Sequence, residues 1–256
     1  MRHPILTIAR YTLLEGLRAR LPWLSLLMLV ALFGASVLVG QLAITESRRM
    51  QTVFLAATLR PAAVFMLSLH IIGSMAREFN DKGFEFILSL DIPRASYVLG
   101  KLLGFGLIGL LLAFAVGAVA ALLAPAPDAA PWAVSLACEL CLIAALSLFC
   151  VIALPQIMPA ASFVLGFYVL ARSMGAMQLM SGTPIAGDAN HGHQSLSRLV
   201  DLFALLLPRL DTFTQSTWLV DHSGGWSLIA AIAAQAVIYV SLLAAATMFD
   251  LYRKNY

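Results

Sequence analysis

Six apolar stretches, each long enough to cross a lipid bilayer, dominate this sequence. A spanning α-helix needs about 20 mostly apolar residues, because the hydrocarbon core is about 30 Å thick and a helix rises about 1.5 Å per residue. Charged residues make up 11% of the chain, against about 25% in a typical soluble domain. We therefore predict an all-α integral membrane protein with one transmembrane domain over residues 1–256. Its predicted spans are 21–42, 52–75, 97–123, 132–153, 160–179 and 226–251.

The second span is interrupted by Arg60 and Pro61. Proline inside a helix removes a backbone hydrogen bond, and a long cationic side chain near a helix end can extend toward water. We expect Pro61 to kink this helix and Arg60 to reach outward. Tight turns are predicted between spans three and four and between spans four and five, because both connections contain closely spaced prolines.

Lysine and arginine predict the orientation, since they are enriched in the cytoplasmic loops of membrane proteins. If the N-terminus is cytoplasmic, ten of these residues fall on the inner side and five on the outer side. Both termini are therefore predicted to be cytoplasmic. The inner set is Arg2, Arg10, Arg18, Arg20, Arg77, Lys82, Arg94, Lys101, Arg253 and Lys254, and the outer set is Arg48, Arg49, Arg60, Arg198 and Arg209.

Two segments outside the spans have helical patterns of their own. Residues 1–20 place apolar side chains at helical spacing, which predicts an amphipathic helix in the inner interface; the alternative is a basic topology signal alone. The outer loop, 180–225, contains an apolar stretch at 196–207 that is too short to span and stops at Pro208. We interpret this stretch as a re-entrant or interfacial helix.

The inner loop at 76–94 has a two-sided helical pattern. Its charged residues recur at spacings that share one helix face, and its apolar residues share the opposite face. Pro93 ends the pattern, because the residue before proline avoids helical backbone angles. We predict a short cytoplasmic helix over 77–90 whose charged face meets water. The charged positions are Glu78, Asp81, Lys82 and Glu85, and the apolar positions are Phe79, Gly83, Phe86, Ile87 and Leu90.

This loop resembles the first cytoplasmic loop of type-2 ABC transporter permeases. The resemblance rests on Arg77-Glu78, Gly83-x-Glu85, Ile87-Leu-Ser89-Leu, Ile92-Pro93-Arg94, Tyr97 and Gly100-Lys101. Phe84 stands where the family has a small residue, and the order around Pro93 also departs from the family pattern. The opening from Ile8 to Arg20 and the element Leu207-Pro208 to Phe213 are similar to the family as well. Within it, the chain is most similar to permeases of the copper-enzyme maturation type, as found beside nitrous-oxide reductase.

The resemblance implies a permease subunit, with no catalytic site of its own, that acts as an exporter in the bacterial inner membrane. It implies pairing with a second copy or a related permease and docking of a separate ATPase, which would bind the ATP and magnesium. The sequence has no phosphate-binding loop of the Gly-x-x-x-x-Gly-Lys-Ser/Thr type. A periplasmic accessory protein is a further possible partner, and nothing predicts nucleic-acid binding. The expected ATPase-coupling residues are Arg77, Glu78, Asp81, Lys82, Glu85, Phe86 and Ile87.

Glu139 and Arg172 are the ionisable residues deepest in the predicted spans. A charge in lipid costs about 2.5–3.5 kcal/mol on insertion scales and usually finds a partner. The two residues lie at similar depths in neighbouring antiparallel spans. We predict a structural charge pair, with a role in the substrate pathway and outward extension to the interface as the alternatives.

Soft and imidazole side chains occur near the outer side of spans four and five. Thiols, thioethers and imidazoles suit copper, yet cysteine and methionine are also ordinary packing residues. We therefore predict no metal site, and name as the candidates for one Cys138, Cys141, Met174, Met177, His191 and His193.

Two other functions compete with the ATP-driven permease. An ion-coupled secondary transporter would have broken helices in matching halves and several midplane carboxylates, whereas Glu139 is the single carboxylate away from the ends of the predicted spans. A non-transporting scaffold for assembly of a metalloenzyme complex would use the charged loop as a docking site. Co-purification of an ATPase would separate both from the main hypothesis.

Overall fold

The computed structural model describes residues 4–43, 46–81, 93–154, 156–182, 207–221 and 226–253. Within these ranges the chain is all-helical, and six helices are long and apolar enough to cross a membrane. This confirms an all-α chain with six candidate spans. The helices are α1 (Pro4–Arg18), α2 (Leu21–Leu42), α3 (Ser47–Asn80), α4 (Arg94–Ala120), α5 (Ala126–Ala153), α6 (Ile157–Gly182), the short α7 (Thr217–Val220) and α8 (Trp226–Arg253), with a 3₁₀ turn at Leu210–Thr212.

The observed bounds agree with the predicted spans to within three residues, except at the start of α5, which begins at Ala126 and not at 132, and at α3. That helix runs without a break from Ser47 through Pro61 to Asn80. Residues 77–80 are therefore the last turn of α3, and the prediction of a separate helix beginning at Arg77 is wrong. The remainder of that predicted helix, after Asp81, lies outside the described residues.

Helix α5 occupies the centre of the bundle. It packs against α3, α4, α6 and α8, and most of its side chains are buried, including Trp132, Leu136 and Ile143. Small residues allow the close approach: a Cβ on Gly117 of α4 would lie 2.5 Å from the Cβ of Ala133. By contrast α2 packs mainly on α3, and its Trp23, Leu27 and Val30 are exposed.

Helix α1 packs along α4 through two glycines. A Cβ on Gly100 would lie 2.7 Å from the Cβ of Ile8, and one on Gly104 would lie 2.6 Å from the Cβ of Thr12. Only glycine permits these contacts without a shift. The apolar side predicted for α1 is thus the side that faces the protein, and its placement in a membrane interface stays a prediction. We call the end of the bundle where α1 lies, α3 ends and α4 begins the α1 end.

Candidate functional site

Residues 207–221 enter the bundle as irregular backbone between α3, α5 and α6. At one end Arg49 Nη2 donates to Asp221 Oδ1 at 2.9 Å. Further along α3, Arg60 donates to the backbone carbonyl of Thr214. Arg49 and Arg60 are eleven residues apart, which is about 16 Å along a helix. The segment, which we call the re-entrant segment, therefore reaches about 16 Å in from the start of α3, and its Leu210, Phe213, Thr214, Trp218 and Leu219 are buried.

Thr214 is the most constrained residue of the re-entrant segment. Its φ is 43°, a left-handed conformation that is unfavourable for a β-branched residue. Three of its polar groups are bound. The N–H donates to Ser135 Oγ at 3.0 Å, the hydroxyl donates to Glu139 Oε2, and the carbonyl accepts from Arg60. These contacts hold a strained turn against α3 and α5.

Arg172 of α6 holds the same turn from the other side. Its Nη1 donates to the carbonyls of Leu210 and Phe213, the latter at 2.8 Å. In an apolar environment, irregular backbone must find hydrogen-bond partners inside the protein. Arginine suits this role, because its guanidinium has five donors in a fixed plane and keeps its charge. Two arginines thus supply the donors for the carbonyls of Phe213 and Thr214, and a second donor for the carbonyl of Leu210, which also accepts from the Phe213 N–H at 3.2 Å.

Glu139 is fully buried beside these arginines. Arg60, Tyr168 and Arg172 all lie close enough to interact with its carboxylate electrostatically. Among the described residues, however, it makes no ion pair within 4.0 Å with either arginine. Glu139 and Arg172 both bind the re-entrant segment, but they form no direct salt bridge with each other. The Glu139 cluster, as we call it, consists of Arg60, Ser135, Glu139, Tyr168, Arg172 and Thr214.

Most of this cluster was not predicted from the sequence. Arg60 points into the bundle toward Thr214, so the expectation that it extends outward is wrong. Residues 196–206 of the predicted re-entrant helix lie outside the described residues, and the inserted segment that the structure does describe follows directly after them. A usable signal was present, because away from the span ends Arg60 and Arg172 outnumber Glu139, which leaves an excess cation that needs acceptors.

A second cluster lies at the α1 end. Tyr97 donates its hydroxyl to Glu78 Oε1 at 2.9 Å, and Lys101 forms an ion pair with Glu78 Oε2. The Lys101 and Glu78 side chains are 7% and 15% exposed, so the expectation that Glu78 faces water is wrong. The Lys101 ammonium also lies 5.9 Å from the ring centres of Tyr97 and Phe105. We call Glu78, Tyr97 and Lys101 the Glu78 cluster.

Some of the other predicted coupling residues are exposed, and the rest lie outside the described residues. Arg77 and Asp81 are exposed at the end of α3, while Lys82, Glu85, Phe86 and Ile87 lie outside the described residues. On the far side of that loop, Arg94 Nη1 donates to the carbonyl of Leu251 at 2.9 Å and its guanidinium lies over the Tyr252 ring. Both ends of the loop are therefore fixed to helices.

The candidate metal-binding residues do not form one site. Cys138 and Cys141 line a groove between α4, α5 and α8, whereas Met174 and Met177 belong to α6. His191 and His193 lie outside the described residues. In the part of the chain that the structure describes, no three His, Cys, Asp or Glu side chains are grouped so that they could hold a metal ion.

Comparison of the chain with protein-family models and with curated proteins finds no match.

Proposed function

We propose that this chain is the permease subunit of an ATP-binding-cassette exporter, driven by a separate ATPase in the bacterial inner membrane. The sequence resemblance suggests the family. The observation that carries the proposal is the Glu78 cluster, because three residues of the resemblance, Glu78, Tyr97 and Lys101, contact one another across the loop. ATP and magnesium would bind to the partner ATPase, and two permease chains would pair.

A loop that transmits force must be fixed to the helices that it moves. Here Glu78 and Lys101 join α3 to α4 just outside the two ends of the loop. Arg94 joins the start of α4 to the end of α8, and Gly100 seats α1 against α4. A displacement of residues 82–92 would therefore be passed to α1, α3, α4 and α8 together. This is the mechanical linkage that ATP-driven rocking of a permease requires.

Asp81, which is exposed at the end of α3, and Glu85 of the loop are the proposed contacts with the ATPase. Because an exposed ion pair contributes only about 0.2–1 kcal/mol, the test reverses two charges, Asp81→Lys with Glu85→Lys. The tagged wild-type chain is expected to co-purify with a protein that hydrolyses ATP, and the double variant is expected to lose that protein while remaining folded. Glu46→Lys, an exposed reversal at the start of α3, is the matched control. Absence of an ATPase from the wild-type complex would refute the proposed function.

A second candidate, an ion-coupled transporter, is favoured by the Glu139 cluster. Irregular backbone beside a buried carboxylate is a feature of secondary transporters, whose sites lie near the membrane centre. In this alternative Glu139 binds the coupling ion. The purified chain alone, in vesicles, would then carry its substrate down an imposed ion gradient, and Glu139→Gln would abolish that movement. ATP dependence of transport in the complex would favour the first candidate instead.

A further inference from the structure

An open groove runs between α2 and α3 at the α1 end. Its volume is about 760 Å³, within the roughly 300–1,000 Å³ of ligand-binding sites. The walls are apolar and exposed, with Leu24, Leu27, Phe65 and Leu69 among the large side chains that nothing in the described residues covers. On α2 the lining extends from Leu21 to Ala31.

The length of the groove matches one leaflet of a bilayer. Ten residues separate Leu21 from Ala31, which is about 15 Å along a helix and half of the roughly 30 Å hydrocarbon core. The groove therefore runs from a helix end, where headgroups lie, to the depth at which an acyl chain ends. A chain lying along α2 would cover the exposed leucines and Phe65.

The helix-end part of the groove is cationic. Arg20 precedes α2 and Arg77 lies in the last turn of α3, and both line the groove and are exposed. Within the described residues neither guanidinium has an ion pair. Arg77 turns back along its helix, since a Cβ on Gly73 would lie 3.9 Å from its Nη1. Its charge is thus directed toward the groove.

His70 lies below the arginines in the same wall. Its Nε2 would be 3.4 Å from a Cβ on Gly16, so it fills the space where α1 meets α3. The carboxylate that it faces, Glu15, accepts a hydrogen bond from Ser74 Oγ at 2.8 Å. Glu15 is thereby held toward α3 and does not line the groove, whereas Arg20 and Arg77 do, so these two arginines are the charges available to a ligand there.

We infer that this groove binds an anionic phospholipid, with its phosphate between Arg20 and Arg77 and an acyl chain along α2. Basic pockets between spanning helices are suited to acidic headgroups, and each nearby arginine strengthens binding to an anionic surface about five-fold. The inference is independent of the proposed transport function. It assigns a ligand to the side of α3 on which α2 packs.

Native mass spectrometry of the purified chain with phosphatidylglycerol or phosphatidylcholine tests the site. Wild-type protein is expected to retain phosphatidylglycerol more tightly than phosphatidylcholine. Arg20→Gln with Arg77→Gln is expected to weaken phosphatidylglycerol binding by about 25-fold, the product of two five-fold effects. Arg10→Gln with Arg18→Gln removes two exposed charges from α1 outside the groove and is expected to leave binding unchanged. Equal effects of the two double variants would overturn the inference.

Two phenylalanine substitutions on α2 test separately whether an acyl chain occupies the groove. Ala31→Phe fills the deep end of the groove, whereas Val30→Phe places the same ring on an exposed α2 position outside it. The first is expected to reduce retention of both lipids and the second of neither, with melting temperatures unchanged. If Ala31→Phe instead dissociates a dimer and leaves lipid retention intact, the groove belongs to a second copy of the chain and the lipid inference is wrong.

Discussion

The Glu78 cluster and the Glu139 cluster each bury a glutamate, but they are assembled in different ways. Glu78 pairs directly with Lys101, and its partners lie 19 and 23 residues away on the next helix. Glu139 binds Thr214, 75 residues away, and Arg60 binds the same threonine across 154 residues. The first cluster joins neighbouring helices of the chain. The second joins three helices and an irregular segment that are distant in sequence.

The difference also concerns what the charges satisfy. In the Glu78 cluster the cation neutralises the carboxylate. In the Glu139 cluster the arginines hydrogen-bond to backbone carbonyls of the re-entrant segment, and Glu139 binds a hydroxyl while balancing their charge. A helix satisfies its own backbone, whereas an inserted loop cannot. We conclude that the half-buried charges at Arg60 and Arg172 are required because the carbonyls of Phe213 and Thr214, between the 3₁₀ turn and α7, accept no backbone N–H among the described residues.

The largest effect is expected from Glu139→Ala. It leaves Arg60 and Arg172 without the buried carboxylate and Thr214 without its acceptor, and breaking a buried charge pair costs about 3–5 kcal/mol. Folded yield and melting temperature in detergent should fall sharply. Glu46→Ala removes an exposed carboxylate from the start of α3 and should have little effect. If Glu139→Ala accumulates normally but loses transport, Glu139 acts in the substrate pathway instead.

The charge swap Glu139→Arg with Arg172→Glu sharpens this test. A simple pair would tolerate the exchange in part. Here a carboxylate at 172 would face the carbonyls of Leu210 and Phe213, and the Phe213 carbonyl would lose the donor that Arg172 supplies. The swap is therefore expected to be as unstable as the worse single variant, and a substantial rescue would show that the two residues act mainly as a charge pair.

A smaller effect is expected from Lys101→Met. It leaves Glu78 with the Tyr97 hydroxyl, and a charged hydrogen bond contributes about 1.5–3 kcal/mol. Because Glu78 lies one turn from the end of α3 and remains partly exposed, water can replace the lost ammonium. Adding Glu78→Gln should recover much of the stability, which a double-mutant cycle of melting temperatures would measure. Additive losses would show that the two side chains are not coupled.

The smallest expected effect is the difference in stability between alanine substitutions at two glycines of α6. A Cβ on Gly175 would lie 2.5 Å from Asp211 Oδ2, whereas one on Gly166 would meet nothing within 4 Å. Gly175→Ala is expected to displace the 3₁₀ turn and cost about 1 kcal/mol. Gly166→Ala should be neutral or stabilising, since alanine favours a helix over glycine by up to about 1 kcal/mol. Equal melting temperatures for the two variants would argue against close packing of α6 on the re-entrant segment.

Within one helix the sequence was a good guide, because burial in lipid is decided by local apolar content. It placed α2 at the observed bounds and found the face by which α1 packs. It failed at Arg60 and Glu78, which it treated as exposed on the basis of their neighbours in the chain. Both side chains have partners on other elements, and no local pattern identifies those partners.

By itself the sequence determined that the chain forms six helices able to span a membrane, since the length and apolarity of each stretch suffice for that conclusion. The tertiary structure alone decided that α5 is central, that Glu78 turns inward to Lys101, and that residues 207–221 insert between α3, α5 and α6. Insertion requires donors for carbonyls that no helix satisfies. Those donors come from Arg60 and Arg172, which meet at the segment only after the helices have packed.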